Sequence, residues 1–224
     1  MDWQAIALTL RLAAMTTVIL LLVGTPLAYW LAFSRRRWKV AVEAIVALPL
    51  VLPPTVLGFY TLLAIGPRSP VGRGYEALTG GILPFSFEGL LIGSVLFSLP
   101  FAVQPMMVAF GAVDRRLIEA SWMLGEGRLS TFFRTVAPMS RSGVFIAAVL
   151  AFAHTLGEFG VVLMLGGNIA GETRTVSVSI YDSVQALDYQ TAGRTSLLLL
   201  AVSFTVLVLT YTFKQRSGAP WLMQ

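Results

Sequence analysis

Five long apolar stretches separated by short polar segments set out this chain. The first covers about residues 5–33 and carries no charge from Leu12 to Phe33, while Arg11 near its start can extend toward an interface. The others cover about residues 40–65, 89–113, 139–165 and 195–213. Crossing a bilayer takes about 20 apolar residues in a helix. The pattern therefore predicts an all-α polytopic membrane protein, five transmembrane helices in one domain over residues 1–224.

Polar and breaking residues inside these stretches are the first candidates for function. Pro26 is expected to kink the first helix. The second stretch holds Leu48-Pro49-Leu50-Val51-Leu52-Pro53-Pro54-Thr55, and three prolines in six residues must bend or open the backbone at membrane depth. Irregular backbone there is tolerated only against protein or a watery cavity. Pro49, Pro53, Pro54 and Thr55 thus form either a buried kink or part of a pathway. Gln104, between Pro100 and Pro105, is expected to face protein, because an amide facing hydrocarbon is costly.

The fourth stretch contains His154-Thr155-Leu156-Gly157-Glu158-Phe159-Gly160, with Glu158 deep in the span. An ionised carboxylate at that depth needs a partner or water. Its i, i+4 spacing from His154 would suit a proton relay, but the chain supplies few titratable groups to extend one. A structural hydrogen bond to a neighbouring helix or an external loop is the expected role.

Residues 114–138 form the longest charged interruption. Asp114 is a good N-cap, and Leu117, Ala120, Ser121 and Leu124 fall at i, i+3, i+4 and i+7 on one mostly apolar face. Gly125 is placed for a left-handed C-cap. A short amphipathic helix outside the bilayer follows, lying on headgroups or displayed to a partner. Residues 66–88 read as an external loop with a short helix around Tyr75–Leu78. In residues 166–190, Arg174, Glu172 and Asp182 face either solvent or a docked partner.

Charge orients the spans. Residues 35, 36, 37, 39, 115, 116, 128, 134, 141, 214 and 216 are the Lys and Arg on one side, against 11, 68, 73, 174 and 194 on the other. By the positive-inside rule the N-terminus lies outside and the C-terminus in the cytoplasm. The net charge of +5 is then a matter of topology, with no call for nucleic acid. With no cysteine and one histidine the chain has no thiolate or zinc-ligand cluster, so no metal residues are expected. Neither GxxxxGK[ST] nor Gly-x-Ser-x-Gly occurs, so catalytic residues are none and the chain is not expected to hydrolyse ATP.

The interruption resembles the coupling loop of ABC importer permeases: Glu-Ala-Ala, three residues, Gly, nine residues, Ile-x-Leu-Pro. Glu119, Ala120, Gly125 and Pro138 match at that spacing, while Ser121, Thr135 and Ala137 depart from it. The proline-rich second stretch, the Gly157-Glu158-Phe159-Gly160 run and Asn168-Ile169-x-Gly-Glu-Thr-Arg-Thr are similar to molybdate permeases, with sulfate permeases as nearer relatives than others. The resemblance extends from about Trp3 to Arg216. It implies a type I ABC importer permease fold in a bacterial inner membrane, for molybdate or tungstate, with sulfate or thiosulfate as the alternative and a gradient-driven anion transporter behind it. It further implies a homodimer in the lipid bilayer and two ABC ATPase subunits on the cytoplasmic side that bind ATP and Mg, this chain binding no cofactor. An oxyanion-binding protein would dock outside. Glu119, Ala120, Ser121, Leu124, Gly125 and Pro138 would form the ATPase-coupling surface. Pro49, Pro53, Pro54, Thr55, Gln104, His154, Gly157, Glu158 and Phe159 are the pore or gate candidates.

Overall fold

Asp2 opens the first helix by accepting the Ala5 amide at 3.0 Å, and α1 (Trp3–Phe33) then runs 31 residues through Pro26. At 1.5 Å per residue that is about 46 Å, enough to cross a bilayer with a turn to spare at each side. The computed structural model describes residues 2–216, all helix and loop. The tail beyond Arg216, expected in the cytoplasm, lies outside the described residues.

The second apolar stretch departs from one bent span. It forms α2 (Lys39–Val51) and α3 (Pro54–Ile65), which meet at 117°. Pro49 stays inside α2 and is buried; the break comes one turn later, at Leu52 and Pro53, both extended with ψ 137. A residue before proline is pushed out of the helical region, and Pro53-Pro54 imposes that twice in succession. With 13 residues, α2 is only about 20 Å long and cannot cross by itself.

The loop over residues 66–88, expected on the outer side, carries a fuller helix than Tyr75–Leu78. The helix α4 spans Pro70–Thr79, because Ser69 caps it through the Gly72 amide, Pro70 fits its first turn and Gly80 ends it at φ +72. The next helix, α5 (Phe87–Gly111), absorbs both Pro100 and Pro105 without breaking. After it come α6 (Arg115–Met123), then α7 (Arg128–Thr131), a π turn (Phe132–Val136) and α8 (Ala137–Met139) as one rod. That rod meets α9 (Arg141–Leu156) at 76°.

The fourth stretch is also divided, where a continuous helix over 139–165 was expected. The chain leaves the helix at Gly157, passes Glu158 and Phe159, and resumes as α10 (Gly160–Gly166). Glycines on both sides of the gap explain the weakness there. Two further helices, α11 (Val176–Gln185) and α12 (Tyr189–Arg216), complete the chain. Trp3–Phe33, Phe87–Gly111 and Tyr189–Val208 are each long and apolar enough to cross a membrane, and each bent pair taken as one span makes five.

Long helices α1, α5 and α9 form the centre. At Gly143 a Cβ would overlap the Ala109 methyl, and at Gly93 it would overlap Leu165 of α10, so small residues let α9 and α10 approach α5 closely. Ser140 adds a hydrogen bond to the Ala109 carbonyl at 3.1 Å. Buried apolar residues divide into two clusters. One gathers Leu12, Leu90, Val161 and Leu165; the other gathers Leu20, Val103, Met106, Phe110, Ile118 and Val136. Tyr29, Phe110 and Phe132 stack edge-on within the second, with centroids 5.3–6.2 Å apart.

The stretch from Asn168 to Thr175 owes its residues to packing. The Thr173 hydroxyl donates to the Gly166 carbonyl at 2.6 Å and accepts the Ile169 amide, while Thr175 caps α11. Arg174 donates to Asn168 at 2.5 Å and reaches Asp2 at 3.8 Å and Asp182 at 3.7 Å. It therefore ties the start of α1 to α11, so its carboxylate partners are internal. Arg174→Ala is expected to lower the melting temperature by about 2–4 °C, the effect of roughly 1 kcal/mol in a chain of this size. A thermal shift assay of the purified chain measures it, and an unchanged midpoint would remove this tie from the account.

Candidate functional site

The interruption 114–138 builds an exposed surface. Asp114 accepts the Arg116 amide at 2.9 Å and starts α6, and Gly125 at φ +86 turns the chain out of it. In αL a glycine avoids the Cβ clash other residues meet. Glu119 is exposed and paired with Arg115 at 3.3 Å, and Ser121 shares a 3.0 Å hydrogen bond with Thr131 of α7.

The apolar face that the periodicity picked out stays exposed, and α6 is anchored by a residue outside it. Ile118 packs into the core at 3% exposure, whereas Leu124 is 85% exposed and Leu117 and Ala120 also face outward. Trp122, Met123, Leu129 and Phe133 are exposed beside them. These four were missed by the sequence reading; Trp122-Met123-Leu124, three large apolar residues in an otherwise polar loop, was the available signal. Pro138 lies exposed in α8, two residues before the 76° turn.

Glu126 braces the loop behind this surface. Its carboxylate accepts from Arg134 at 2.7 Å, and a hydrogen bond from Ser130, then Arg134, holds it below the usual carboxylate range. A depressed carboxylate pKa contributes above its unfolded value and is lost as pH falls through the folded one. Corrected for the intrinsic pH dependence of exchange, amide protection in residues 125–130 is therefore expected to fall on acidification in the wild type, and to be low at every pH in Glu126→Ala. Equal exchange in the two proteins at neutral pH would exclude the brace.

The second site lies where the two helix breaks meet. A cavity of about 670 Å³ is lined by Pro54 and Thr55 at the start of α3, Phe97 of α5, and Ala153, His154 and Gly157 to Gly160 around the second break, with Leu163 and Met164 behind. Gly160 stands against Pro54, where a Cβ would come within 2.7 Å of the ring. Gly58 stands against Met164 in the same way. Thus Pro54, Thr55, His154, Gly157, Glu158 and Phe159, far apart in sequence, come together. Pro49 and Pro53 do not line this cavity, and Gln104 lines two separate grooves beside α2. The amide is half-buried against protein, near Pro100, Phe101 and Val103.

His154 and Glu158 do not pair. His154 shares a 2.9 Å hydrogen bond with Ser98, stacks on Phe101 at 4.0 Å and touches Phe97 at 4.8 Å. Ser98 also meets Thr155 at 3.1 Å. The break at Gly157 ends the helical register that the i, i+4 spacing assumed, so a relay through the two is not formed. The structural hydrogen bond expected of Glu158 is not formed, and His154 makes the interhelical bond instead. Glu158 is 4% exposed, and among the described residues neither carboxylate oxygen has a hydrogen-bond partner; Ser94 approaches it without reaching bonding geometry. The Ser94 and Thr16 hydroxyls are buried and unpartnered too. Thr16 lies one turn from both Leu12 and Leu20, which belong to different apolar clusters.

Crossing helices, a cavity between two broken ones and a displayed loop helix define a polytopic membrane transport subunit. The chain belongs to the family described as binding-protein-dependent transport system inner membrane components, which matches residues 24–221. It is 52% identical over 214 residues to the molybdenum transport system permease protein ModB of Azotobacter vinelandii, covering 96% of this chain and 95% of that one. It is 31% identical to the protein of the same name from Escherichia coli strain K12, covering 93% and 90%. A solved bacterial ABC transporter that imports the acidic polysaccharide alginate shares the fold, with TM-score 0.76 and 16% identity over 96% of this chain and 79% of that one. The protein is thus a multi-pass permease of the ABC importer type.

Proposed function

We propose that the chain is the permease subunit of an ATP-driven importer of molybdate, accepting tungstate as a nearly identical tetrahedral dianion. The observation that carries the substrate is the 52% identity, over almost the whole length, to a molybdenum permease. In this reading two copies form the pathway at their interface, and an ATPase subunit binds each α6 in the cytoplasm. A binding protein delivers the oxyanion from outside, where the N-terminus lies. One solved relative in fold was captured with a ligand-bound periplasmic protein.

The cavity between the breaks serves as the gate. Rigid helices cannot bend continuously, so movement concentrates where hydrogen bonding is already interrupted, at Leu52–Pro53 and Gly157–Phe159. Closure of the ATPases draws the two α6 helices together, and Ile118 passes that shift into the cluster of α1, α5 and α9. No Lys or Arg lines the cavity, so the anion meets no deep trap and selection falls to the binding protein.

Co-purification with a co-expressed ATPase tests the reading, followed by hydrolysis stimulated by the loaded binding protein. Stimulation by molybdate or tungstate but not sulfate is the expected result. Stimulation by sulfate alone would move the substrate, and uptake by the lone chain down an ion gradient would replace the mechanism.

A further inference from the structure

We propose that the groove between α1 and the rod after α6 is a binding site for one anionic phospholipid. The groove has a volume of about 540 Å³ and is walled by Leu21, Leu22, Pro26 and Tyr29 on one side and Phe132 and Phe133 on the other. From Leu21 to Tyr29 it follows α1 for about 12 Å, the length of a large part of an acyl chain. Apolar walls at this depth suit hydrocarbon.

Its polar end supplies the charge. Arg128 lines the groove, is exposed, and forms no ion pair among the described residues, whereas Arg134 nearby is held by Glu126. At the same end of α1, Trp30 packs against Trp38 with centroids 4.5 Å apart, and the exposed Arg35, Arg36 and Arg37 follow the helix. Paired tryptophans and clustered arginines mark a cytoplasmic membrane interface. A phosphate headgroup at that level meets Arg128 while its chain enters the groove, and basic pockets beside helices on this side favour anionic lipids.

The π turn shapes the wall. Its extra residue per turn directs Phe132 inward, against Tyr29 at 5.3 Å, and leaves Phe133 62% exposed at the groove. A lipid seated there touches the rod that also holds Thr131, the partner of Ser121 on α6. Occupancy therefore stiffens the base of the surface that receives the ATPase. This inference rests on the cytoplasmic placement of residues 114–138 proposed above.

The test uses the complete permease–ATPase complex in nanodiscs of phosphatidylcholine with and without phosphatidylglycerol, read by native mass spectrometry and by stimulated hydrolysis. Wild type is expected to retain phosphatidylglycerol in preference to phosphatidylcholine and to hydrolyse ATP faster in its presence. Arg128→Gln is expected to retain it about fivefold less, the weight of one basic contact at a membrane surface. Arg37→Gln, outside the groove, is expected to leave retention unchanged. Equal retention in Arg128→Gln and wild type would overturn the proposal, as would a cross-link between two copies of Leu129→Cys, which places protein in the groove. Lipid retention is read without any oxyanion, so failure of the molybdate assignment leaves this result intact.

Discussion

Leu124→Asp is expected to abolish ATPase docking and, with it, hydrolysis stimulated by the binding protein. Leu124 is 85% exposed at the end of α6 and Met123 is 89% exposed beside it, with Trp122 adjoining. Large apolar side chains near the centre of an interface carry most of its binding energy, about 2 kcal/mol or more each, so a buried aspartate there costs well over tenfold in affinity. Fold is untouched, because neither side chain contributes to the core that Ile118 anchors. Glu119→Lys, which opposes its 3.3 Å pairing with Arg115, and Gly125→Pro, which cannot adopt φ +86, are expected to weaken docking through the shape of the helix. Pull-down of the ATPase measures all three. Normal association of Leu124→Asp would show that this surface is not the contact.

The second large effect is expected at Gly160. Valine there would press on the Pro54 ring, where a Cβ alone comes within 2.7 Å. Overpacking of this kind costs about 1–3 kcal/mol, and here it falls on the contact between the two helix breaks. Oxyanion uptake is expected to drop at least tenfold while basal ATP hydrolysis persists, since α6 lies at the far end of the second cluster. Loss of both activities together, with the complex intact, would mean that the contact supports the coupling surface instead of the gate. Gly74→Ala, on the exposed face of α4 where a Cβ meets nothing within 4 Å, is the control for glycine replacement.

The architecture was legible because a bilayer imposes a simple demand. Runs such as Leu12–Phe33 and Gly89–Gly111 must be helices wherever they are surrounded by hydrocarbon, and the clustering of Lys and Arg speaks to their orientation. Asp114 and Gly125 bounded α6 correctly, because caps are local chemistry decided within four residues. Pro53-Pro54 likewise announced a break, although not that the two halves would stand at 117°. Gly157 gave a weaker sign, and the division of the fourth span was missed because a glycine in an apolar run is compatible with helix.

Of the candidate site, local pattern supplied the members and the fold supplied their company. Six gate candidates from two distant segments share one cavity, while Pro49, Pro53 and Gln104 lie elsewhere. The apolar stripe of α6 through Leu117 and Leu124 stays exposed as a displayed face, while Ile118, outside that stripe, turns inward into the cluster that holds Val113 and Val136. Sequence by itself predicted five spans and the displayed loop, from composition and spacing along the chain, and pointed to the family through the resemblance of its motifs. Only the tertiary structure decided which breaks meet, that His154 bonds to Ser98 instead of Glu158, and which face of α6 is left for a partner. The first two depend on helices separated by 50 residues or more arriving at the same depth, the third on packing against the neighbouring segments, and no local periodicity carries that information.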